Sequence, residues 1–258
     1  MLTAIDPLCK VCRMTLWRKA LAELLGTALL VLVVVGSGIA ASQLSPDDVG
    51  LQLLQNAAAT AVGLYVLILV FGPVSGAHFN PVVSLADALL GRHSGGLPLR
   101  HVPVYVLSQV VGGIGGTVLA HAIFTLPAVT FSTRERTGGG LWLSEVVATV
   151  GLLLVIFCLA RSGQARSTPA AVGAYIGGAY FFTSSTSFAN PAVTVARAFS
   201  DTFAGIAPAS VPGFVLAQVI GMCFAMGLVA TLYPREVAVR DAEAQALVPE
   251  LRVSRSAP

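Results

Sequence analysis

Two Asn-Pro dipeptides carry the chemistry of this sequence: Asn80-Pro81 within SGAHFNPVVSLADALLGR and Asn190-Pro191 within STSFANPAVTVARA. A side-chain amide offers two N–H donors and an acceptor, so a pair of Asn can pass hydrogen bonds to a neutral solute without holding charge. Asn is also a favoured helix N-cap and Pro a favoured first helical residue, so each dipeptide marks a helix start. Val82 and Ala192 complete the two boxes. Two acids, Glu23 in AELLGTALLVL and Glu145 in SEVVATVGLLLV, sit at the heads of apolar runs where a carboxylate is costly without partners. Catalytic chemistry has little to work with. The 4 His (His78, His93, His101, His121) are scattered without ligand spacing or a nucleophile beside them. We therefore expect no enzyme, no metal and no cofactor. Cys9-Lys-Val-Cys12 has redox or metal spacing but lacks a second pair, and Cys158 and Cys223 read as small apolar fillers.

The elements that position these residues follow from composition. The 258 residues are 55% hydrophobic and 10% charged, with a mean hydropathy of +0.83. Soluble domains carry about 25% charged residues, so this chain belongs in a bilayer. A span needs roughly 20 apolar residues. Leu16–Ala40, Leu51–Val70, Val102–Phe124, Leu141–Ala160, Pro169–Thr183 and Val211–Tyr233 qualify. Leu16–Ala40 is too long for a cleavable signal and reads as a retained helix. Lys10, Arg13, Arg18 and Lys19 precede the first span, Arg92 and Arg100 follow the second, and Arg161 and Arg166 follow the fourth. This bias places both termini in the cytoplasm of an inner or plasma membrane, with Arg134 and Arg136 as exceptions in the long outer connection. The chain divides into a tail over 1–15, a first membrane repeat over 16–127, a connection over 128–140, a second repeat over 141–233 and a solvated tail over 234–258.

Pro81–Leu90 and Pro191–Phe199 are apolar but too short to cross. About ten residues rise roughly 15 Å, half the hydrocarbon thickness. The acid-bearing runs and the Asn-Pro boxes recur in matching order, which makes an internal repeat. Three spans per half is odd, so the halves face opposite ways across the bilayer, and such repeats place a permeation site near the midplane. The irregular leaders Ser75–Phe79 and Ser184–Ala189 are tolerable at that depth only against protein or a wet cavity. They should line a pore. Gly112, Gly116, Gly173 and Gly177 have spacings suited to close helix approach.

The paired Asn-Pro-(Val/Ala) boxes, with an acid in the first span of each half, resemble the aquaporin or major intrinsic protein family from about Trp17 to Tyr233. The resemblance implies an all-α membrane fold of six transmembrane helices and two re-entrant half-helices, assembled as a homotetramer with one pore per subunit. It implies a pore midplane at Asn80, Pro81, Val82, Asn190, Pro191 and Ala192, with Glu23, Glu145 and His78 holding the leader loops. Each half-helix would turn a partial positive charge to the midplane, against cations and protons.

Spacing from the boxes puts the family's selectivity filter at Thr60, Gly178, Ser187 and Val193, with no aromatic ring, no histidine and no guanidinium. Arg197, one turn beyond Val193, has two candidate placements, the pore mouth and a surface or loop partner such as Asp201, and the second is favoured. Val82 is expected to add methyl groups at the midplane. The filter lacks the usual Arg, as in bacterial members associated with arsenic solutes. The expected function is a passive channel for water and neutral solutes of glycerol, urea or metalloid-acid size, with the lipid bilayer as partner and no nucleic acid. A channel specialised for arsenite or organoarsenicals and an ion-coupled transporter are the alternatives.

Overall fold

The computed structural model describes residues 14–92 and 95–234. The Cys9/Cys12 pair, His93 and both outer tails lie outside them. Among the described residues the chain forms α1 (Leu16–Leu44), α2 (Val49–Ser75), α3 (Pro81–Leu90), α4 (Val102–Ile123), α5 (Gly139–Arg161), α6 (Thr168–Phe182), α7 (Pro191–Arg197) and α8 (Val211–Leu232), with short 3-10 turns before α4, α6 and α8. Five of these are long and apolar enough to cross a membrane; α6, at 15 residues, is shorter. Its 3-10 leader Ala165–Ser167 extends it toward the terminal face, the side on which both ends of the bundle lie.

The packing repeats by halves. α1 lies on α2 and α4 as α5 lies on α6 and α8, and α2 meets α6 across the two halves. The half-helices cross over: α7 packs on α4 of the first half and α3 on α8 of the second. Glycine sets the closest of these approaches. A methyl added at Gly112 or Gly116 of α4 would overlap the backbone carbonyl of Leu24 or Ala28 on α1. On α6, a methyl at Gly173 would meet the Ala61 carbonyl of α2 at 2.7 Å and one at Gly177 the Ala61 methyl at 2.9 Å. Large side chains such as Val62, Leu107, Leu216 and Phe224 point outward and are exposed on the bundle surface. That is the arrangement of a chain solvated by lipid tails.

α3 and α7 begin as the boxes dictate. Each has Asn as N-cap in extended conformation and Pro at its first position; the Asn80 carbonyl oxygen accepts from the Val82 N–H at 3.1 Å and that of Asn190 from the Ala192 N–H at 3.0 Å. α3 keeps the expected bounds. α7 stops at Arg197 instead of Phe199, because the carbonyls of Ala198 and Phe199 turn to accept from Ser132 and Thr130 of the connecting segment.

Candidate functional site

The two buried acids hold the leaders. Glu23, fully buried on α1, accepts from Ser75 Oγ (2.6 Å), the His78 N–H (3.0 Å), the Phe79 N–H (2.7 Å) and Gln109 Nε2 (2.7 Å). Glu145, fully buried on α5, accepts from the N–H groups of Phe188 (2.9 Å) and Ala189 (2.8 Å) and from Gln218 Nε2 (2.7 Å). Hydrogen bonds to an ionised acceptor are the strong kind, and here they satisfy backbone donors that no helix could satisfy. They also hold a strained backbone. Ala77 and Phe79 in one leader, and Ser187 and Ala189 in the other, have φ between 46° and 51°, the left-handed region that costs a non-glycine residue energy.

Gln109 and Gln218 complete the two clamps and were missed from sequence. Each also donates to a half-helix hydroxyl, Ser84 at 2.9 Å or Thr194 at 2.9 Å. A signal was available: Gln-Val-Val-Gly and Gln-Val-Ile-Gly are polar residues at matching places in the last span of each half. His78 sits beside the first clamp. Its Nδ1 lies 3.1 Å from Ser84 Oγ and its Nε2 3.8 Å from Asp87 Oδ2.

The asparagines tie the halves together. Asn80 Nδ2 donates to the Ala189 carbonyl at 2.7 Å, and Asn190 Nδ2 to the Phe79 carbonyl at 2.8 Å. Each amide thus commits one N–H to the opposite leader and keeps a second. Both residues line a cavity of about 840 Å³ that enters at the terminal face beside Lys19, His101 and Arg166. It runs past His78 and the two Asn to Thr60, Tyr180, Ser187, Phe188 and Arg197. Its walls are otherwise largely aliphatic, with Leu30, Val34, Leu64, Leu152, Val172 and Ile176 among them.

Several expected positions change. Val82 is buried behind the cavity, with Ala192 as its counterpart, and neither lines it. The methyl groups that face the cavity come instead from Val83 and Val193, one residue further along each half-helix. Pro81 and Pro191 are likewise set back from the cavity. Thr60, Ser187 and Val193 reach it, but Gly178 lies on the outward face of α6, exposed, with open space where a side chain would project. Tyr180 takes that wall, its hydroxyl 3.1 Å from Thr60 Oγ1. Two residues along a helix is a rotation of about 200°, so a small counting offset moves a residue to the opposite face. An aromatic ring therefore stands where none was expected.

Arg197 finds a loop partner as expected, but Ala204 and not Asp201, and it also reaches the cavity. It is 2% exposed, lines the cavity and donates through Nε to the Ala204 carbonyl. Asp201 instead accepts from the backbone N–H and hydroxyl of Thr133, at 2.9 and 3.1 Å. The guanidinium carbon stands 3.5 Å from the centre of the Phe188 ring. Arg136, buried in the connecting segment, stands 5.1 Å from the same ring and donates to the carbonyls of Gly205 (2.9 Å) and Ser185 (3.3 Å). Burial, followed by the fields of Arg197 and Arg134, pulls the Arg136 guanidinium down to about 9, which leaves it charged at neutral pH.

Comparison with known proteins agrees with this geometry. The chain is 51% identical over 213 residues to aquaglyceroporin AqpS of Rhizobium meliloti (strain 1021), covering 83% of this chain and 89% of that protein. It is 32% identical over 160 residues to human Aquaporin-2, covering 59% of this chain and 56% of the relative. The fold superposes on the X-ray structure of the aquaglyceroporin from Plasmodium falciparum with a TM-score of 0.66 at 21% identity, covering 83% of this chain and 96% of that one. Residues 10–189 match the family described as Major intrinsic protein. With its inverted repeat and paired half-helices, this chain belongs to the major intrinsic protein family.

Proposed function

We propose that this multi-pass membrane protein is a passive channel for water and small uncharged solutes, driven by the solute gradient. The observation that carries the reading is the cavity: it passes both asparagine amides between aliphatic walls and is continuous from the terminal face to Tyr180 and Arg197. A solute losing its water against such walls needs a few replacement donors, which the free N–H of Asn80 and of Asn190 supply. An ion gets no comparable compensation. The two buried carboxylates that an ion-coupled transporter could use are already committed to backbone N–H groups. Thr60, Ser187 and Val193, joined by Tyr180 in place of Gly178, form the filter of this reading; Glu23, Glu145 and His78 hold the leaders. The relatives named as aquaglyceroporins support solutes of glycerol size. The family is one of channels, which argues against an enzymatic role. Both termini facing the cytoplasm of the inner membrane, and assembly as a homotetramer, complete the reading.

The test is light scattering of proteoliposomes in sucrose, glycerol and urea gradients, with planar-bilayer recording beside it. The expected result is water and glycerol flux above empty liposomes, independent of Na⁺ or proton gradients, with no K⁺ current. A substantial K⁺ current, or flux that needs an ion gradient, would overturn it.

A further inference from the structure

We propose that Arg197 supplies the fixed charge and the hydrogen-bond donors of the solute filter from the last turn of α7, with the Phe188 ring holding its guanidinium in place. This rests on the channel reading above and names the residue that sets its specificity. Three observations carry it. Arg197 lines the cavity at the end where the Thr60–Tyr180 hydroxyl pair and Ser187 also stand. Its Nε is taken by the Ala204 carbonyl, yet among the described residues neither terminal nitrogen has an acceptor, and neither is sealed from solvent. Those nitrogens therefore project into the cavity. Finally, the guanidinium carbon lies 3.5 Å from the centre of the Phe188 ring, which holds the group flat against that wall. A guanidinium with two unspent nitrogens open to the cavity marks a place for an oxygen-bearing guest.

Two buried guanidiniums, Arg197 and Arg136, face one buried carboxylate at this end. Among the described residues no Asp or Glu forms an ion pair with Arg197 or Arg136. Glu145 is within electrostatic reach, but its oxygens already accept from Phe188, Ala189 and Gln218. Arg134 adds a third positive charge at this end, stacked on Phe203 at 5.5 Å. A positive charge in a low-dielectric wall acts far more strongly than one in water. Cations and hydronium are repelled, whereas a neutral solute offering carbonyl or hydroxyl oxygens meets donors. The chemical class is a small polyol or amide. The stack on Phe188 gives the planar guanidinium a fixed orientation that a Lys ammonium would lack.

The experiment compares wild type, Arg197→Gln and Arg197→Lys in proteoliposomes carrying a pH-sensitive dye, alongside glycerol and water flux by light scattering. The expected result is a proton flux about tenfold higher in Arg197→Gln, which corresponds to about 1.4 kcal/mol, and a lowered glycerol-to-water ratio. Arg197→Lys should hold proton flux at the wild-type level while its glycerol-to-water ratio still falls. A residue with a packing role only would change all fluxes together and would not separate Lys from Gln. Wild-type values for both readouts in Arg197→Gln, or identical behaviour of Gln and Lys, would overturn the assignment. Should Arg197→Gln fail to fold, Phe188→Leu keeps every charge and loosens the stack. It should lower the glycerol-to-water ratio severalfold with proton exclusion intact, and an unchanged ratio overturns the proposal. A wild type that passes neither water nor glycerol sinks the channel reading itself; a conducting wild type with indifferent variants sinks Arg197 alone.

Discussion

Glu23 receives four hydrogen bonds and Glu145 three, and that difference has a measurable consequence. Replacing either carboxylate by an amide puts an NH₂ group where backbone N–H donors converge. Bonds to a charged acceptor are worth about 1.5–3 kcal/mol each, so loss of even one lowers stability visibly. Thermal unfolding in detergent should show both Glu23→Gln and Glu145→Gln destabilised, Glu23→Gln the more so. Equal, wild-type-like melting would mean the leaders are held by something else. Glu23, Glu145 and both Asn were legible in the sequence because the repeat doubles each signal. Tyr180 was not, and the sequence admitted two placements for Arg197. Their roles depend on which face of a helix reaches the cavity and how far a long side chain folds back, and spacing from a motif fixes neither. Val193→Arg now carries a different expectation from that of a filter devoid of guanidinium. It would set a second cation one turn from Arg197, and glycerol flux should fall further than water flux in the light-scattering assay.

At the scale of elements, α1 and α4 are brought together by glycines that leave no room for a methyl group. Gly116→Leu must push the helices apart or strain them, at about 1–3 kcal/mol by analogy with overpacked cores. A methyl at Gly115, the next residue back, meets nothing within 4 Å among the described residues, so Gly115→Ala should be neutral or slightly stabilising through helix propensity. Melting of the two variants in one detergent checks the contrast; a Gly116→Leu protein as stable as wild type would show that the interface is loose. The small-residue spacing made this contact legible, and the hydrophobic runs located every span to within a few residues. α6 is the element the apolar pattern describes least well. Its 15 helical residues rise about 22 Å, short of the hydrocarbon thickness. The 3-10 turn ahead of it and the buried leader after it make up the difference.

For the whole molecule, the inverted repeat is a shared structure and not two independent halves. Each half clamps its own leader, yet the acceptor for each asparagine amide belongs to the other half. Each half-helix likewise packs on a span of the opposite repeat. Co-expressed fragments covering 1–138 and 139–258 should therefore associate and restore water flux, and neither should conduct alone. Flux from the first fragment by itself would show that one repeat can close a pore.

The same exchange bears on biosynthesis. While the chain is being made, α3 and the leader before it enter the bilayer several spans ahead of α7 and α8, the elements that cover them. Asn80 then has no Ala189 carbonyl to bond, and the nascent protein carries a water-filled recess on one side of the membrane until the second repeat arrives. A Cys introduced at Val83 should be open to labelling by a small aqueous thiol reagent in ribosome-bound chains truncated before residue 180. Labelling should decline as chains lengthen past α8, a time stamp for the moment at which the two halves exchange their half-helices.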